Sequence, residues 1–172
     1  MTSTSTLPEV RAPRDVRRAR DKRRIGLALL SVFVLCGALG LFGTRTGQRS
    51  TTAGGFTVTV TYPAISRPGH AIRYEVEVKH PGGFDGPVHM RFSSAYFDLF
   101  DENSFGPDPA SATTTGAYDL YEFEPPPGDT FIVSSDTRVE PARQRGESGE
   151  VSVLDEDGKP VATVRYRTRI FP

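Results

Sequence analysis

Three histidines, His70, His80 and His89, are the side chains of this sequence best suited to bind a metal ion. His80 and His89 flank a Pro-Gly turn with Asp85 between them, a donor set that copper or zinc would accept. Their spacing matches no established ligand pattern, however. Histidines in surface turns are the alternative interpretation, and we expect it to hold.

Acidic residues suggest a second possible metal site, for calcium. Asp98, Asp101, Glu102, Asn103 and Asp108 offer oxygen ligands without the glycine spacing of a helix–loop–helix calcium site. A further acidic turn covers residues 155–157. Because exposed acidic turns are usually just solvated, we expect no metal and no cofactor. A domain that binds a small ligand or a metal, calcium or copper, stays as the alternative function.

Catalytic motifs are missing from the sequence. It contains no Gly-x-Ser-x-Gly elbow, no phosphate-binding glycine loop and no His-Glu-x-x-His helix. Ser148 has no histidine near it in sequence. The single cysteine, Cys36, lies inside an apolar run, where a small apolar role is expected, and it has no partner for an intrachain disulfide. We therefore predict that the protein is not an enzyme.

Aromatic residues gather on both sides of the polar stretch 101–116. We predict from them a surface for a protein partner, because aromatic side chains dominate interface energetics. Packing in a core or along an edge is the alternative, and we expect it to hold for most of these residues. The residues proposed for the surface are Tyr96, Phe97, Phe100, Phe105, Tyr118 and Tyr121. The expected partner is another membrane or envelope protein.

Charge is distributed unevenly along the chain. The formal net charge is zero, from 21 basic and 21 acidic residues. Residues 1–24 carry eight basic and three acidic residues, whereas residues 50–172 carry 11 basic and 18 acidic ones. This pattern excludes a nucleic-acid-binding domain, because the excess basic charge sits in a short arm. The arm is poor in apolar residues, and we predict that residues 1–24 are a disordered cytoplasmic segment.

An uncharged run follows the arm. Residues 25–42 read IGLALLSVFVLCGALGLF, and a helix of this length would cover roughly 27 Å, close to a bilayer core. The preceding basic residues predict a single-pass protein with a cytoplasmic N-terminus and an extracytoplasmic C-terminal domain. A cleaved secretory signal is the main alternative, although the apolar run is long for one. A twin-arginine signal and lipidation at Cys36 are disfavoured.

The rest of the chain predicts an all-β domain. Residues 43–55 are expected to be a Gly/Ser/Thr-rich linker, and residues 56–172 an extracytoplasmic domain. Apolar and polar residues alternate clearly over 56–62, 72–78, 88–92 and 162–170. About seven short strands separated by turn signals favour an antiparallel, immunoglobulin-like β-sandwich. A small open barrel is the alternative.

Several sequence blocks carry a resemblance to known proteins. VTYPAISRPG, VKHPGGFDGPV, YFDLFDENSFGPDP, FEPPPGDTF and the C-terminal segment from VEPARQRGESG onward are examples. From about the apolar run to the C-terminus the chain resembles uncharacterised single-pass membrane proteins of actinobacteria. The resemblance implies a cell-envelope protein with an immunoglobulin-like extracytoplasmic domain. It implies no reaction and no site residue.

Overall fold

The protein is described by a computed structural model over residues 13–40, 43–101 and 105–171. The chain divides into two compact units, one ending at Gly43 and one beginning at Thr44. The first contains helix α1 (Pro13–Ala38). In its described part, the second contains a short helix, α2 (Ser94–Phe97), and ten strands: β1 (Arg45–Ala53), β2 (Phe56–Ser66), β3 (Ala71–Lys79), β4 (Val88–Ser93), β5 (Ser111–Thr115), β6 (Tyr118–Phe123), β7 (Thr130–Arg138), β8 (Ser148–Leu154), β9 (Pro160–Arg167) and β10 (Arg169–Ile170).

Helix α1 differs from the segments predicted for the N-terminal region. It begins at Pro13, so the second half of the arm predicted to be disordered, residues 13–24, is helical. The helix ends at Ala38, and residues 1–12, Leu41 and Phe42 lie outside the described residues. No helix in the described part of the chain is long and apolar enough to cross a lipid bilayer. The predicted membrane span over residues 25–42 is therefore not supported by the structure.

The second unit is an all-β sandwich, as the alternating sequence pattern predicts. Sheet A has the strand order β1-β2-β3-β7, and sheet B has the order β5-β6-β4-β8-β9. Neighbouring strands run antiparallel, except that β10 pairs in parallel with the end of β2. Strands β1 and β9 are edge strands of different sheets and pack beside each other along one side of the sandwich.

Alternation of side chains explains the core. In β3, Tyr74, Val76 and Val78 are buried, while the glutamates between them face outward. Strands β2, β4, β8 and β9 follow the same rule, so the inward faces of the two sheets together form one apolar layer. In an antiparallel sandwich with one solvated face per sheet, this burial supplies the main driving force for folding.

Four details of the predicted β domain are corrected. The predicted linker 43–55 is largely strand β1, which pairs with β2 along its length. The polar stretch 101–116, which is expected to be a surface loop, contains strand β5, and helix α2 lies just before this stretch. The C-terminal strand breaks at Thr168, because β9 belongs to sheet B while β10 pairs with sheet A. The described residues thus form ten strands where about seven were expected.

Candidate functional site

Four of the six aromatic residues proposed for a partner surface lie in the core, which is the packing role expected for most of them. Tyr96, Phe97, Phe100 and Phe105 are at most 7% exposed. Phe105 stacks on Phe92 with ring centroids 5.2 Å apart, and Phe97 meets the edge of Phe105 at 5.4 Å. These four side chains are occupied by intramolecular packing, so they present no surface to a partner in the folded domain.

The buried tyrosines satisfy their hydroxyl groups in pairs. The Tyr74 and Tyr166 hydroxyl oxygens lie 2.6 Å apart, and the Tyr96 and Thr168 hydroxyl oxygens lie 2.8 Å apart. Burial raises the pKa of Tyr74, Tyr96 and Tyr166 above its ordinary value. The hydroxyls therefore stay neutral and act as structural hydrogen-bonding groups.

The two remaining aromatic residues of the predicted surface are partly accessible. Tyr118 lies beneath the guanidinium of Arg91, whose Cζ is 4.2 Å from the ring centroid. Tyr121 packs edge-on against Phe92 and Phe105, and burial raises the pKa of Tyr121. A contribution of Tyr118 and Tyr121 to a partner surface stays a prediction.

The histidines considered as possible metal ligands are only partly brought together. His80 and His89 line the same cavity of about 280 Å³, with Asp85, Phe56 and Phe84 also on its walls. His80 Nδ1 donates a hydrogen bond to the Gly83 carbonyl oxygen at 2.5 Å, and its ring stacks on Phe56 with centroids 4.4 Å apart. In the part of the chain that the structure describes, no three His, Cys, Asp or Glu side chains converge into a metal site. Glu102 and Asn103 of the acidic stretch lie outside that part.

A different surface feature stands out between the edge strands β1 and β9. An open groove of about 710 Å³ is lined by Arg49 of β1, Arg165 and Arg167 of β9, and Arg169 of β10. All four arginines are exposed. We call this feature the arginine groove. It lies on a domain whose sequence is otherwise predominantly acidic.

The charge of the arginine groove is only partly neutralised from within. Glu150 also lines it and accepts hydrogen bonds from Arg165 Nε at 2.7 Å and from Arg91 Nη2 at 2.9 Å. The bond to Glu150 raises the pKa of the Arg165 guanidinium. Among residues 13–40, 43–101 and 105–171, no carboxylate lies within ion-pair distance of Arg49, Arg167 or Arg169. Three guanidinium groups therefore remain available to an anionic ligand.

Two glycines allow tyrosine rings to line the groove. The Tyr166 ring lies directly over Gly149 of β8, where any Cβ would collide with it. The Tyr62 ring lies over Gly47 of β1, and a Cβ there would be 2.9 Å from Tyr62 Cζ. Tyr62 and Tyr166 are also mutually packed, with ring centroids 5.0 Å apart. The groove thus has closely packed tyrosine rings in its walls beside exposed arginine side chains.

The sequence contained a signal for this groove that the search for catalytic motifs does not use. Arg165, Arg167 and Arg169 alternate with apolar residues, which places them on one side of a strand. Arg49, however, sits in a stretch that reads as a polar linker. Its approach to β9 depends on the pairing of β1 with β2, which local sequence does not reveal.

Comparisons with known proteins leave the family open. No family model matches the chain, and no curated protein matches it. Solved structures that the chain partly matches include a non-cellulosomal cohesin from Archaeoglobus fulgidus, at 14% identity and a TM-score of 0.38 over 74% of this chain and 92% of that chain. They also include an alkylpurine DNA glycosylase from Pseudomonas fluorescens, at 16% identity and a TM-score of 0.33 over 77% of this chain and 32% of that one. A beta-glucosidase from Listeria innocua shows 9% identity and a TM-score of 0.33 over 76% and 16%.

Proposed function

We propose that this protein is a non-catalytic interaction module of the cell envelope. In this proposal a β-sandwich of immunoglobulin-like type binds another membrane or envelope protein through the arginine groove. The single observation that carries it is a groove with four exposed arginines, of which Arg49, Arg167 and Arg169 have no carboxylate within ion-pair distance among the described residues. Such unpaired charge steers and orients an oppositely charged partner.

Membrane anchoring through residues 25–42 is the second part of the proposal. It is supported by the large apolar side chains of α1 between Ile25 and Leu35, which are between 55% and 66% exposed. They include the consecutive positions 32–35, so they cover every face of the helix. A helix that is apolar on all sides favours lipid or a protein interior over water.

The proposed topology has the N-terminus in the cytoplasm and the sandwich outside. Protease added to intact cells is expected to degrade a C-terminal epitope tag while leaving an N-terminal tag protected. Replacing residues 25–42 with a polar linker should release the protein from the membrane fraction. A protected C-terminal tag, or an unchanged membrane fraction after the replacement, contradicts the topology.

Interaction through the groove is tested by comparing partners captured from membranes. The tagged chain is compared with the R167Q/R169Q variant and with K79Q/K159Q, which removes the same charge from side chains outside the groove. Proteins that are enriched with the parent chain and with K79Q/K159Q should be lost with R167Q/R169Q. Identical sets of captured proteins from all three chains would remove the groove as the contact surface.

Small-ligand binding is a second candidate function, favoured by one observation. His80 and His89 share a cavity with two phenylalanines and Asp85, a mixture of apolar and polar groups typical of ligand sites. Metal analysis of the purified chain, with and without EDTA, tests the metal-dependent form of this alternative. A metal-free protein whose melting temperature does not respond to EDTA or to added copper or calcium would exclude metal-dependent binding.

A further inference from the structure

The charge and shape of the arginine groove point to the chemistry of its ligand. We propose that the groove binds an extended, acidic segment of a partner polypeptide. This inference rests on the proposed function, because it names the kind of partner that the interaction module would recognise. Three observations support it: the free guanidinium groups, the edge strands on both sides, and the tyrosine-lined walls.

The guanidinium groups select for carboxylates arranged along a chain. Arg49 lies on β1, whereas Arg167 and Arg169 lie on β9 and β10, so the charges line both sides of the groove. A single small anion would meet only part of this set. A segment with several Asp or Glu residues can place carboxylates against arginines on both walls, in the planar two-bond geometry that guanidinium favours.

The flanking strands favour an extended polypeptide over other anions. Strand β1 has nine residues, and in the described part of the chain it pairs with β2 on one side only. Strand β9 is likewise the last strand of its sheet. Edge strands carry backbone N–H and C=O groups that an added strand can pair with. A lipid headgroup or a free phosphate can accept a hydrogen bond from a backbone N–H group, but it is too short to pair with successive N–H and C=O groups along a strand.

The walls of the groove combine apolar and polar groups. Tyr62 and Tyr166 are 6% and 5% exposed, so their rings add little open surface, and Ala64 and Ile65 contribute the other apolar groups. Ser93 and Ser148 add hydroxyl groups to the lining. Glu150 adds one negative charge, but Arg165 and Arg91 hold its carboxylate. The mixed lining therefore suits an acidic peptide whose carboxylates alternate with side chains such as threonine, which carry both a methyl and a hydroxyl group.

Fluorescence anisotropy of the full-length chain in neutral detergent tests this proposal. The probe is a fluorescein-labelled peptide of alternating Glu and Thr with the nine-residue length of β1, and its control contains Gln in place of Glu. We expect saturable binding of the Glu peptide, at least about tenfold tighter than that of the Gln peptide. Raising the salt concentration to about 1 M, where the Debye length is about 3 Å, should abolish it.

Variants show where the peptide binds. R167Q/R169Q should weaken the binding of the Glu peptide about tenfold, because each exposed ion pair contributes up to about fivefold to the affinity. R49Q, on a different strand, should weaken it by a smaller factor, and it keeps the test valid if the double variant is unstable. The charge-matched K79Q/K159Q chain should bind within about twofold of the parent, because its lost pairs lie outside the groove.

Three results would overturn the inference. These are an absence of saturable peptide binding, an equal loss in K79Q/K159Q, and binding of inorganic phosphate or phosphatidylglycerol vesicles in preference to the peptide. None of them bears on whether the groove contacts a partner in membranes. If captured partners still depend on Arg167 and Arg169, the interaction module stands and only the acidic-peptide ligand is wrong.

Discussion

The hydrogen bond between Tyr96 and Thr168 gives a quantitative test of how the domain is held together. The two hydroxyl oxygens are 2.8 Å apart, and both residues are 0% exposed. Tyr96 lies in α2, while Thr168 lies at the break between β9 and β10 beside the arginine groove. The bond therefore fixes the position at which the last strand crosses from one sheet to the other.

Removing one partner of this bond should cost more than removing both. Y96F leaves the Thr168 hydroxyl without a partner and out of reach of water, which costs about 1–3 kcal/mol. T168V leaves the Tyr96 hydroxyl without a hydrogen-bond partner and should lower the free energy of unfolding by a similar amount. The double variant Y96F/T168V leaves apolar groups of similar shape in place of both hydroxyls. We expect it to be more stable, by about 1 kcal/mol or more, than the sum of the single losses predicts.

Urea and thermal unfolding followed by circular dichroism measure these free energies. A loss of 1 kcal/mol lowers the melting temperature of a domain of this size by about 4 °C. A non-additive cycle confirms that the two hydroxyls bond to each other. If the single losses simply add, or if Y96F unfolds at the same urea concentration as the parent, the hydrogen bond between Tyr96 and Thr168 does not stabilise the domain.

Three further predictions test the core and the groove walls. G149A should destabilise the domain by about 1–3 kcal/mol in urea unfolding, because its Cβ would collide with the Tyr166 ring; an unchanged midpoint would show that the ring is free to move. F97S should reduce the yield and cooperativity of folding, since it places a hydroxyl in a 6%-exposed core position. A variant as stable as the parent would contradict the burial of Phe97. Burial raises the pKa of Tyr74 and Tyr166 above that of a tyrosine in the unfolded chain. The stability that depends on their neutral hydroxyls is therefore complete below pH about 10, and it declines above that pH because the unfolded chain ionises first. Absorbance titration should therefore show their phenolates appearing only as the circular dichroism signal is lost, and ionisation of all six tyrosines in a folded domain would contradict this.

Much of the sandwich follows from local sequence, because its alternation reflects burial on one face. Val76 and Val78 in β3, or Met90 and Phe92 in β4, are in the core where period two places them. Strand β1 was not predictable in this way. Its sequence RTGQRSTTA has no apolar face, and it is a strand only because β2 supplies the partner for its backbone.

The candidate site was harder to predict than the fold, for a related reason. Aromatic residues near a loop, such as Phe100 and Phe105, have the composition of a binding surface and also that of a core. Only the three-dimensional packing separates the two, and it places them inside. The arginine groove joins β1 with β9 and β10, which are more than a hundred residues apart in sequence, so a local pattern reveals only the side formed by β9 and β10.

Photocrosslinking from the groove in intact membranes tests the proposed interaction most directly. A photoreactive residue is placed at position 49, on the groove wall, and in a second chain at position 132, where Ile132 of β7 is exposed outside the groove. We predict a discrete crosslinked partner from position 49 and none from position 132. The crosslink from position 49 should be lost when R167Q/R169Q is introduced into the same chain. Equal crosslinking from both positions, or a crosslink from position 49 that survives R167Q/R169Q, would contradict it.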